Sequence, residues 1–343
     1  MKFNLSSARN RFLDARGPGF FLLALIISCH FSVSYMQSTV PMIPLVPYLH
    51  IYISTPYAYR VLTALLYRPF VFTTNLLHIH FPHLNPPVDS LENWYMVLLI
   101  IASLLTAVYC TAAAAERVTG DRRWRWIALA QFLCCYFNFT LVLNRNLLYP
   151  YDLPAFALFS VLTCLAIFGN FWLFAIVWIP AILAKETAVF AILILFLLHV
   201  SRTNWRGLVL YASGLLAIFA AIKYLLYRWL YHPCPGCPVI GLDKLRYNAG
   251  QLFNPLFWMS FLSMFGYLWV ALVLLWPWVS RRFRYTFAIT FACWFVVMFR
   301  FGILREVRLF AELSTLLLIV IAQGAHKWLM SRESRDTAVS GSG

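Results

Sequence analysis

Residues 94–115 read WYMVLLIIASLLTAVYCTAAAA, an apolar run without a single charge. A helix of about 20 apolar residues is long enough to cross the hydrocarbon core of a bilayer. The run ends at Glu116 and Arg117, and a basic loop that includes Arg122 and Arg123 follows. Basic residues beside an apolar run mark the cytoplasmic end of a membrane helix. This stretch therefore predicts a transmembrane helix whose C-terminal end faces the cytoplasm.

The rest of the 343-residue chain has the same character. Its residues are 62% hydrophobic and only 11% charged, and the mean hydropathy is +0.75. These values exclude an ordinary soluble domain. We predict an all-α integral membrane protein with about ten transmembrane helices in a single domain, 1–330, followed by a disordered cytoplasmic tail, 331–343. The predicted spans are 18–36, 94–115, 126–143, 154–168, 171–184, 187–200, 207–226, 258–279, 285–303 and 313–329.

The charge balance indicates the orientation of these spans. The chain has 27 Lys and Arg against 12 Asp and Glu, a net charge of +15. In a membrane protein such an excess anchors helices at the cytoplasmic face and contacts anionic lipid, so we expect membrane lipids rather than nucleic acid as partners. Basic residues precede the first span, and the charged turns on the same side are basic, which places both termini in the cytoplasm. The apolar external segment 37–92 is predicted to form interfacial or re-entrant helices.

The remaining charges form a second, one-sided set. They lie at the ends of apolar runs, and the alternation of spans puts them all on the non-cytoplasmic face. Ionisable groups at a membrane are costly, so this set is a hypothesis for a functional site. Its members are Asp152, Lys185, Glu186, Arg305, Glu306, Arg308 and Glu312.

Asp152 follows Arg145 in the connection between the third and fourth predicted spans. An Asp just before Leu-Pro at a helix start is often an N-cap. As a functional group, Asp152 can act as a general base or as a ligand for a divalent cation, with Arg145 binding phosphate nearby. The sequence leaves these interpretations open.

Lys185 and Glu186 stand between two apolar runs and precede Thr187. They can simply neutralise each other at a helix junction. In the functional interpretation, Glu186 orients or deprotonates an acceptor and Lys185 binds phosphate. Neighbouring residues on a helix do not face each other, so we expect the two side chains to have different partners.

Arg305, Arg308 and Glu312 have the spacing of one face of an α-helix, with Glu306 as a supporting acid. A membrane anchor needs no acids, so this pattern favours function. Two guanidinium forks on one face suit a phosphate or pyrophosphate. Arg60, beside Tyr57 and Tyr59, is typical of an interfacial anchor, and alternatively it closes the same site from above.

Other possible ligands form weaker patterns. His78, His80 and His83 match no standard metal site, and we predict no metal centre there. Cys234 and Cys237 have CxxC spacing in an external segment, where a disulfide can form. The sequence does not decide whether they are paired.

Four short elements resemble those of bacterial polytopic membrane glycosyltransferases of the GT-C type. They are Tyr-Arg-Val-Leu at 59–62, Tyr-Asp-Leu-Pro at 151–154, Lys-Glu-Thr at 185–187 and Arg-Leu-Phe-Ala-Glu-Leu at 308–313. The resemblance implies a multi-spanning fold that takes a sugar from a polyprenyl-phosphate carrier on the non-cytoplasmic side. It also implies a catalytic acid in the first external loop. That loop has only Asp89 and Glu92, near its end, so the catalytic role passes to Asp152 or Glu186.

We therefore expect a transferase of the bacterial inner membrane that acts in cell-envelope polysaccharide or glycolipid assembly, with its active face periplasmic. The expected partner is a sugar linked to polyprenyl phosphate or pyrophosphate, held by Arg60, Arg145, Lys185, Arg305 and Arg308. A polysaccharide polymerase or ligase needs the same parts. A transporter or flippase would favour charges on broken helices near the bilayer midplane. A non-catalytic subunit would pair its external charges in closed contacts.

Overall fold

The computed structural model describes residues 17–52, 57–82, 90–141, 147–230 and 242–340. Throughout these ranges the chain is almost entirely helical. Six helical segments are long and apolar enough to cross a membrane, as expected for an all-α integral membrane protein. Three shorter apolar helices accompany them. Five residues named above lie outside the described residues: His83, Asp89, Arg145, Cys234 and Cys237.

The N-terminal part begins with helix α1 (Pro18–Ser38), which has Pro at its first position, where no backbone N–H is needed. The segment that follows α1 is largely helical over its described residues, and whether its helices are interfacial or re-entrant stays a prediction. It contains α2 (Leu45–Leu49), a 3₁₀ turn (Tyr57–Tyr59) and α3 (Leu62–Leu76). Strand β1 (Val40–Pro41) pairs in parallel with β2 (Leu147–Leu148) and ties this segment to the chain beside Asp152.

Helix α4 (Leu91–Thr119) contains the apolar run with which the prediction began. The Ser90 side chain accepts a hydrogen bond from the backbone N–H of Asn93 and caps its start. Gly120 ends it with φ +75°, a left-handed conformation that glycine adopts at low cost. At 1.5 Å per residue, its 29 residues extend about 43 Å, more than a bilayer core requires.

The predicted single helix 126–143 is wrong. The chain instead forms a 3₁₀ helix (Arg122–Leu129), α5 (Ala130–Cys135) and a π-helical turn (Tyr136–Thr140). Buried polar side chains account for these changes of helix type. Gln131 bonds across to the core of the bundle, and the Asn138 side chain accepts a hydrogen bond from the Phe265 backbone N–H.

A helical hairpin and a further short helix follow. Helices α6 (Asp152–Phe168) and α7 (Phe171–Ala184) are joined at Gly169, with φ +71°, and at Asn170, whose side chain caps α7. Lys185 interrupts the helix in an extended conformation. A 3₁₀ turn (Glu186–Ala188) and α8 (Val189–His199) continue the chain. The polar junction at 185–187 is therefore a real break between apolar helices.

The C-terminal half contains the longest run of elements. They are α9 (Trp205–Leu230), α10 (Leu242–Gln251), α11 (Pro255–Ser263), a 3₁₀ turn (Met264–Tyr267), α12 (Leu268–Leu275), a 3₁₀ turn (Trp276–Trp278), α13 (Arg281–Phe301), a 3₁₀ helix (Val307–Leu313) and α14 (Ser314–Ser340). The sequence predicted one unbroken span at 258–279. Instead Phe265, Gly266 and Tyr267 all have positive φ and separate α11 from α12.

The last long helical segment is the centre of the bundle. In the segment Val307–Glu333, 94% of the most apolar 18-residue stretch is buried inside the bundle. In Trp205–Leu230, only 11% of the corresponding stretch is buried. Helix α9 thus lies at the periphery. Helix α14 continues to Ser340, and the disordered tail 331–343 stays a prediction. Arg332 lies over the ring of Trp328, one turn earlier, and supports this extension.

Candidate active site

The ends of three elements bring the predicted residues together. Asp152 lies in the first turn of α6, Lys185 at the break after α7, and Arg308 and Glu312 on the 3₁₀ helix before α14. Their side chains are all buried. Asp152 is not the N-cap of α6, since Tyr151 has that position and no side chain caps the helix. The Asp152 carboxylate points to the cations instead.

Lys185 is the centre of the inner cluster, which we define as Asp152, Lys185, Arg308 and Glu312. Its ammonium lies 3.1 Å from Asp152 Oδ1 and 2.8 Å from Glu312 Oε1. Thr187 donates a 2.7 Å hydrogen bond to the other oxygen of Glu312. A buried charge is tolerated when it is paired and hydrogen-bonded, and both conditions are met here.

Arg308 completes the inner cluster. Its guanidinium pairs with Asp152 Oδ2 and with Glu306, and it stacks on the Tyr149 ring at 3.7 Å from the centroid. The expectation that Arg308 shares an α-helical face with Arg305 and Glu312 is wrong. The segment is a 3₁₀ helix that starts only at Val307, and Arg305 is half-buried in the turn before it.

A second group, the outer cluster, consists of Arg60, Glu186 and Lys223. Arg60 Nε donates a 3.0 Å bond to Glu186 Oε2, and Lys223 Nζ lies 3.1 Å from Glu186 Oε1. The Glu186 side chain is 39% exposed, against 1% for Asp152. As expected, the neighbours Lys185 and Glu186 have different partners. Because Lys185 belongs to the inner cluster and Glu186 to the outer cluster, the peptide bond between them links the two clusters.

Tyrosines separate and line the clusters. Arg60 lies over the Tyr151 ring at 4.4 Å from the centroid, and Tyr151 contacts the rings of Tyr48 and Tyr149. Burial raises the pKa of the Tyr151 phenol well above its ordinary value, although Arg60 acts in the opposite direction. Burial likewise raises the pKa of Tyr149. These phenols stay protonated near neutral pH. Burial would raise the pKa of the Glu186 carboxyl, but the charges of Arg60 and Lys223 outweigh burial and lower that pKa to about 2, so Glu186 is ionised.

The charges of the two clusters balance only when Glu306, the second partner of Arg308, is included. Arg60, Lys185, Lys223 and Arg308 face Asp152, Glu186, Glu306 and Glu312 in direct ion pairs. Burial would lower the pKa of Arg60, yet the Glu186 charge outweighs it and the pKa lies above the ordinary value. The site is therefore closed by its own counterions, and its outer edge alone is partly exposed.

This site lies at one end of the bundle. Tyr95, near the start of α4, donates a 2.6 Å hydrogen bond to the Thr63 carbonyl, and Thr63 in turn bonds to the Pro150 carbonyl beside the inner cluster. At the other end of α4, Glu116 pairs with Arg125 at 2.8 Å. The two ends, 21 residues apart, are separated by about 31 Å, which is the thickness of a bilayer core.

A buried polar layer extends inward from the inner cluster. Gln131 donates 2.7 Å hydrogen bonds to Thr111 and Thr315 and accepts one from Ser314, and Ser160 bonds to Thr315 at 2.8 Å. All five side chains are fully buried. Thr315 follows Glu312 by three residues, so the polar layer begins close to the ions along the chain.

The carboxylates do not suit a divalent cation. All four oxygens of Asp152 and Glu312 already accept contacts from Lys185, Arg308 or Thr187. Within the described ranges, no group of three or more His, Cys, Asp and Glu side chains is placed to hold a metal ion. His78 and His80 belong to no such group.

An apolar cavity of about 240 Å³ lies elsewhere, at the break between α11 and α12. None of the charged residues lines it. The residues that do so are Phe261, Leu262, Met264, Phe265, Trp269, Leu272, Phe287, Phe291 and Leu317. Phe310, on the same 3₁₀ helix as Arg308, packs against Phe261 and Phe291 and connects this region to the site.

Sequence reasoning missed Lys223 and the buried polar layer. Lys223 lies inside an apolar run that was assigned to a membrane span, and its only signal is a lone Lys among apolar residues.

Comparisons with protein-family models, with curated proteins and with solved structures found no match to this chain. The fold and the site geometry are therefore the basis for any functional proposal.

Proposed function

We propose that this chain is a membrane glycosyltransferase of the non-cytoplasmic face. It moves a sugar from a polyprenyl-phosphate or pyrophosphate carrier to an acceptor in cell-envelope polysaccharide or glycolipid assembly. The observation that supports this most is the meeting of four cations and four carboxylates at one end of an apolar helical bundle. Cations suit the carrier phosphate, and a carboxylate suits the acceptor hydroxyl.

In this proposal the bundle crosses a bacterial inner membrane about ten times, with both termini cytoplasmic and the clusters on the periplasmic side. The three short apolar helices α6, α7 and α8 and the mixed helical segment 122–140 would complete ten crossings together with the six long segments. The basic end near Arg122 and Arg125 would face the cytoplasm.

Glu186 is the proposed general base. It is the most exposed carboxylate of the two clusters and lies between two cations. The Asp152 and Glu312 carboxylates are buried and already paired with cations, so an acceptor cannot reach them. Their proposed role is to hold Lys185 and Arg308 in position. Arg145, which lies outside the described residues, and Arg305 stay predicted phosphate ligands.

The chemistry is a displacement at the anomeric carbon. The acceptor oxygen bonds to that carbon and gives its proton to Glu186, while the bond to the carrier phosphate breaks and its electron pair stays on the phosphate. Arg60 stabilises the charge that develops there, as fixed cations do in a water-poor site. General base catalysis of this kind typically contributes about 10²–10⁴-fold to the rate.

The test is sugar transfer by the purified chain in proteoliposomes, with radiolabelled lipid-linked donors from bacterial membranes. We expect Glu186→Gln to lower the rate at least about 10²-fold. Arg284→Gln, at the opposite end, is the control and should retain the rate. Transfer at the normal rate by Glu186→Gln would contradict the role of Glu186. A chain that transfers no sugar from any such donor would contradict the proposal itself.

A polymerase or ligase would use the same site with a different acceptor. Product size separates these possibilities, because a polymerase produces a ladder of lengths, whereas a ligase or a single-sugar transferase adds one unit.

Transport is the second candidate, and the buried polar layer favours it. The structure has ion pairs at the break between α7 and α8 and, separately, hydrogen bonds of Gln131 and Thr315 in the core, and transporters also bind their substrates at discontinuous helices. Lipid-linked sugar that crosses sealed liposomes without chemical change would support a flippase. The closed ion pairs of the inner cluster are also what a non-catalytic subunit would have, and a chain that shows neither transfer nor transport would have that role.

A further inference from the structure

The outer cluster contains more positive than negative side chains. Two cations, Arg60 and Lys223, share one carboxylate, and each takes a separate oxygen of Glu186 at 3.0 and 3.1 Å. The local charge is therefore +1. All three side chains are partly exposed, at 21%, 17% and 39%, unlike those of the inner cluster. An anion from outside can reach these cations without opening the buried ion pairs.

The two cations come from distant parts of the chain. Arg60 precedes α3 and is held over Tyr151, whereas Lys223 lies near the outer end of α9. Lys223 also donates a 3.3 Å hydrogen bond to the Tyr59 carbonyl, which keeps its ammonium beside Arg60. Their spacing is thus fixed by the backbone and not only by Glu186. It matches two oxygens of one small anion.

From this geometry we infer that Arg60 and Lys223 form the binding site for the phosphate group of the carrier, and that the Glu186 carboxylate occupies this site until the carrier displaces it. The inference rests on the proposed transferase function and adds Lys223 to its site. A phosphate has at least two free oxygens for the same two donors and makes charge-assisted bonds to them. The closed ion pairs are then the resting state of the site.

Displacement would link binding to chemistry. Once the phosphate holds Arg60 and Lys223, Glu186 loses both counterions and becomes free to accept the acceptor proton. The acceptor oxygen then bonds to the anomeric carbon as the carbon–oxygen bond to the carrier phosphate breaks. The electron pair stays on that phosphate, between the two cations. The base is therefore released only when a donor is bound.

The test is equilibrium binding of radiolabelled farnesyl monophosphate to the full chain in detergent, with farnesol as the uncharged control. Glu186→Gln removes the internal competitor and should bind farnesyl monophosphate about tenfold more tightly. Lys223→Gln should bind it about tenfold more weakly, and Lys223→Arg should restore binding. Arg228→Gln removes an exposed charge from the same end of α9 and should change little. Farnesol should not distinguish these variants.

Binding by Glu186→Gln that is unchanged or weaker would overturn the inference, and so would an equal loss in Arg228→Gln and Lys223→Gln. If Glu186→Gln fails to fold, Glu186→Asp takes its place in the test. This variant keeps the charge on a shorter side chain and should bind farnesyl monophosphate at least as tightly as the unaltered chain. If the variants show the expected order of farnesyl monophosphate affinities but the chain transfers no sugar, the transferase proposal is contradicted and the anion site stands. If the chain transfers sugar but the affinities do not follow this order, the anion site is contradicted and the transferase proposal stands.

Discussion

Lys185 shows how a membrane protein keeps a charge inside its core. Its ammonium is shared by Asp152 and Glu312, and a threonine satisfies the remaining Glu312 oxygen. Moving ions out of water costs several kcal/mol each, and closely paired, fully hydrogen-bonded geometry offsets that cost. Each member of the inner cluster is consequently needed by the others.

Glu312→Gln tests this dependence. The variant leaves Lys185 with only one of its carboxylates, and we expect the free energy of unfolding to fall by about 3–5 kcal/mol, as for other broken buried pairs. Denaturant or thermal unfolding in detergent measures the loss. The double variant Lys185→Met with Glu312→Gln removes both charges and should cost clearly less than the sum of the single changes. Additive losses would contradict a coupled pair.

The candidate site was largely predictable residue by residue, because membrane chains have few charges and each one is informative. Asp152, Lys185, Glu186, Arg308 and Glu312 were all selected from the sequence, and the structure brings them together. Their pairing was not predictable, since three of the ion pairs, Arg60–Glu186, Lys185–Glu312 and Arg308–Asp152, join residues more than 100 positions apart. Lys223 escaped notice because the predicted span 207–226 contains no other charge.

At the scale of elements, the turn between α11 and α12 carries the strongest backbone constraint. Phe265, Gly266 and Tyr267 have φ values of 59°, 62° and 61°. A Cβ on Gly266 would lie 2.5 Å from Leu133 Cγ, closer than packed atoms approach. The turn thus fits against α5 only because residue 266 has no side chain.

We predict that Gly266→Ala lowers the free energy of unfolding by about 3 kcal/mol, from left-handed strain and the clash together. Gly120→Ala is the matched control. Its φ is also positive, at +75°, but nothing lies within 4 Å of the added Cβ, so the loss should be about 1 kcal/mol. Unfolding of both variants under the same conditions gives the comparison. Equal losses would show that contact with Leu133 does not matter.

The positions of most helices followed from apolar runs, whereas their interruptions did not. The spans predicted at 94–115, 154–168 and 171–184 lie inside or coincide closely with α4, α6 and α7. The changes of helix type at Tyr136–Thr140 and Val307–Leu313 arise from tertiary hydrogen bonds and packing. A residue pattern with a 3.6-residue period cannot distinguish these from a continuous α-helix.

At the scale of the whole molecule, the class of protein was predictable and the arrangement of its helices was not. Composition alone indicated a membrane bundle. That the last helix, α14, forms its centre while α9 lies outside is a result of packing between distant segments. In a bilayer both helices can be equally apolar, because lipid and protein core are alike in polarity.

The orientation of the bundle gives a further prediction. In a cysteine-free variant, we expect a membrane-impermeant maleimide to label His80→Cys from the periplasmic side. Thr203→Cys, in the exposed connection between α8 and α9, should react only after the membrane is permeabilised. The positive-inside rule underlies this expectation. The reverse labelling pattern would place the charged clusters on the cytoplasmic face.

The central claim is that the clustered charges are a substrate site closed by its own counterions. The most direct measurement is a cryo-EM map of the chain in nanodiscs with a polyprenyl monophosphate. The account predicts phosphate density between Arg60 and Lys223, the Glu186 carboxylate displaced from both, and the inner pairs of Lys185 unchanged. Intact contacts of Glu186 with both cations, and phosphate density elsewhere or absent at saturating ligand, would contradict it.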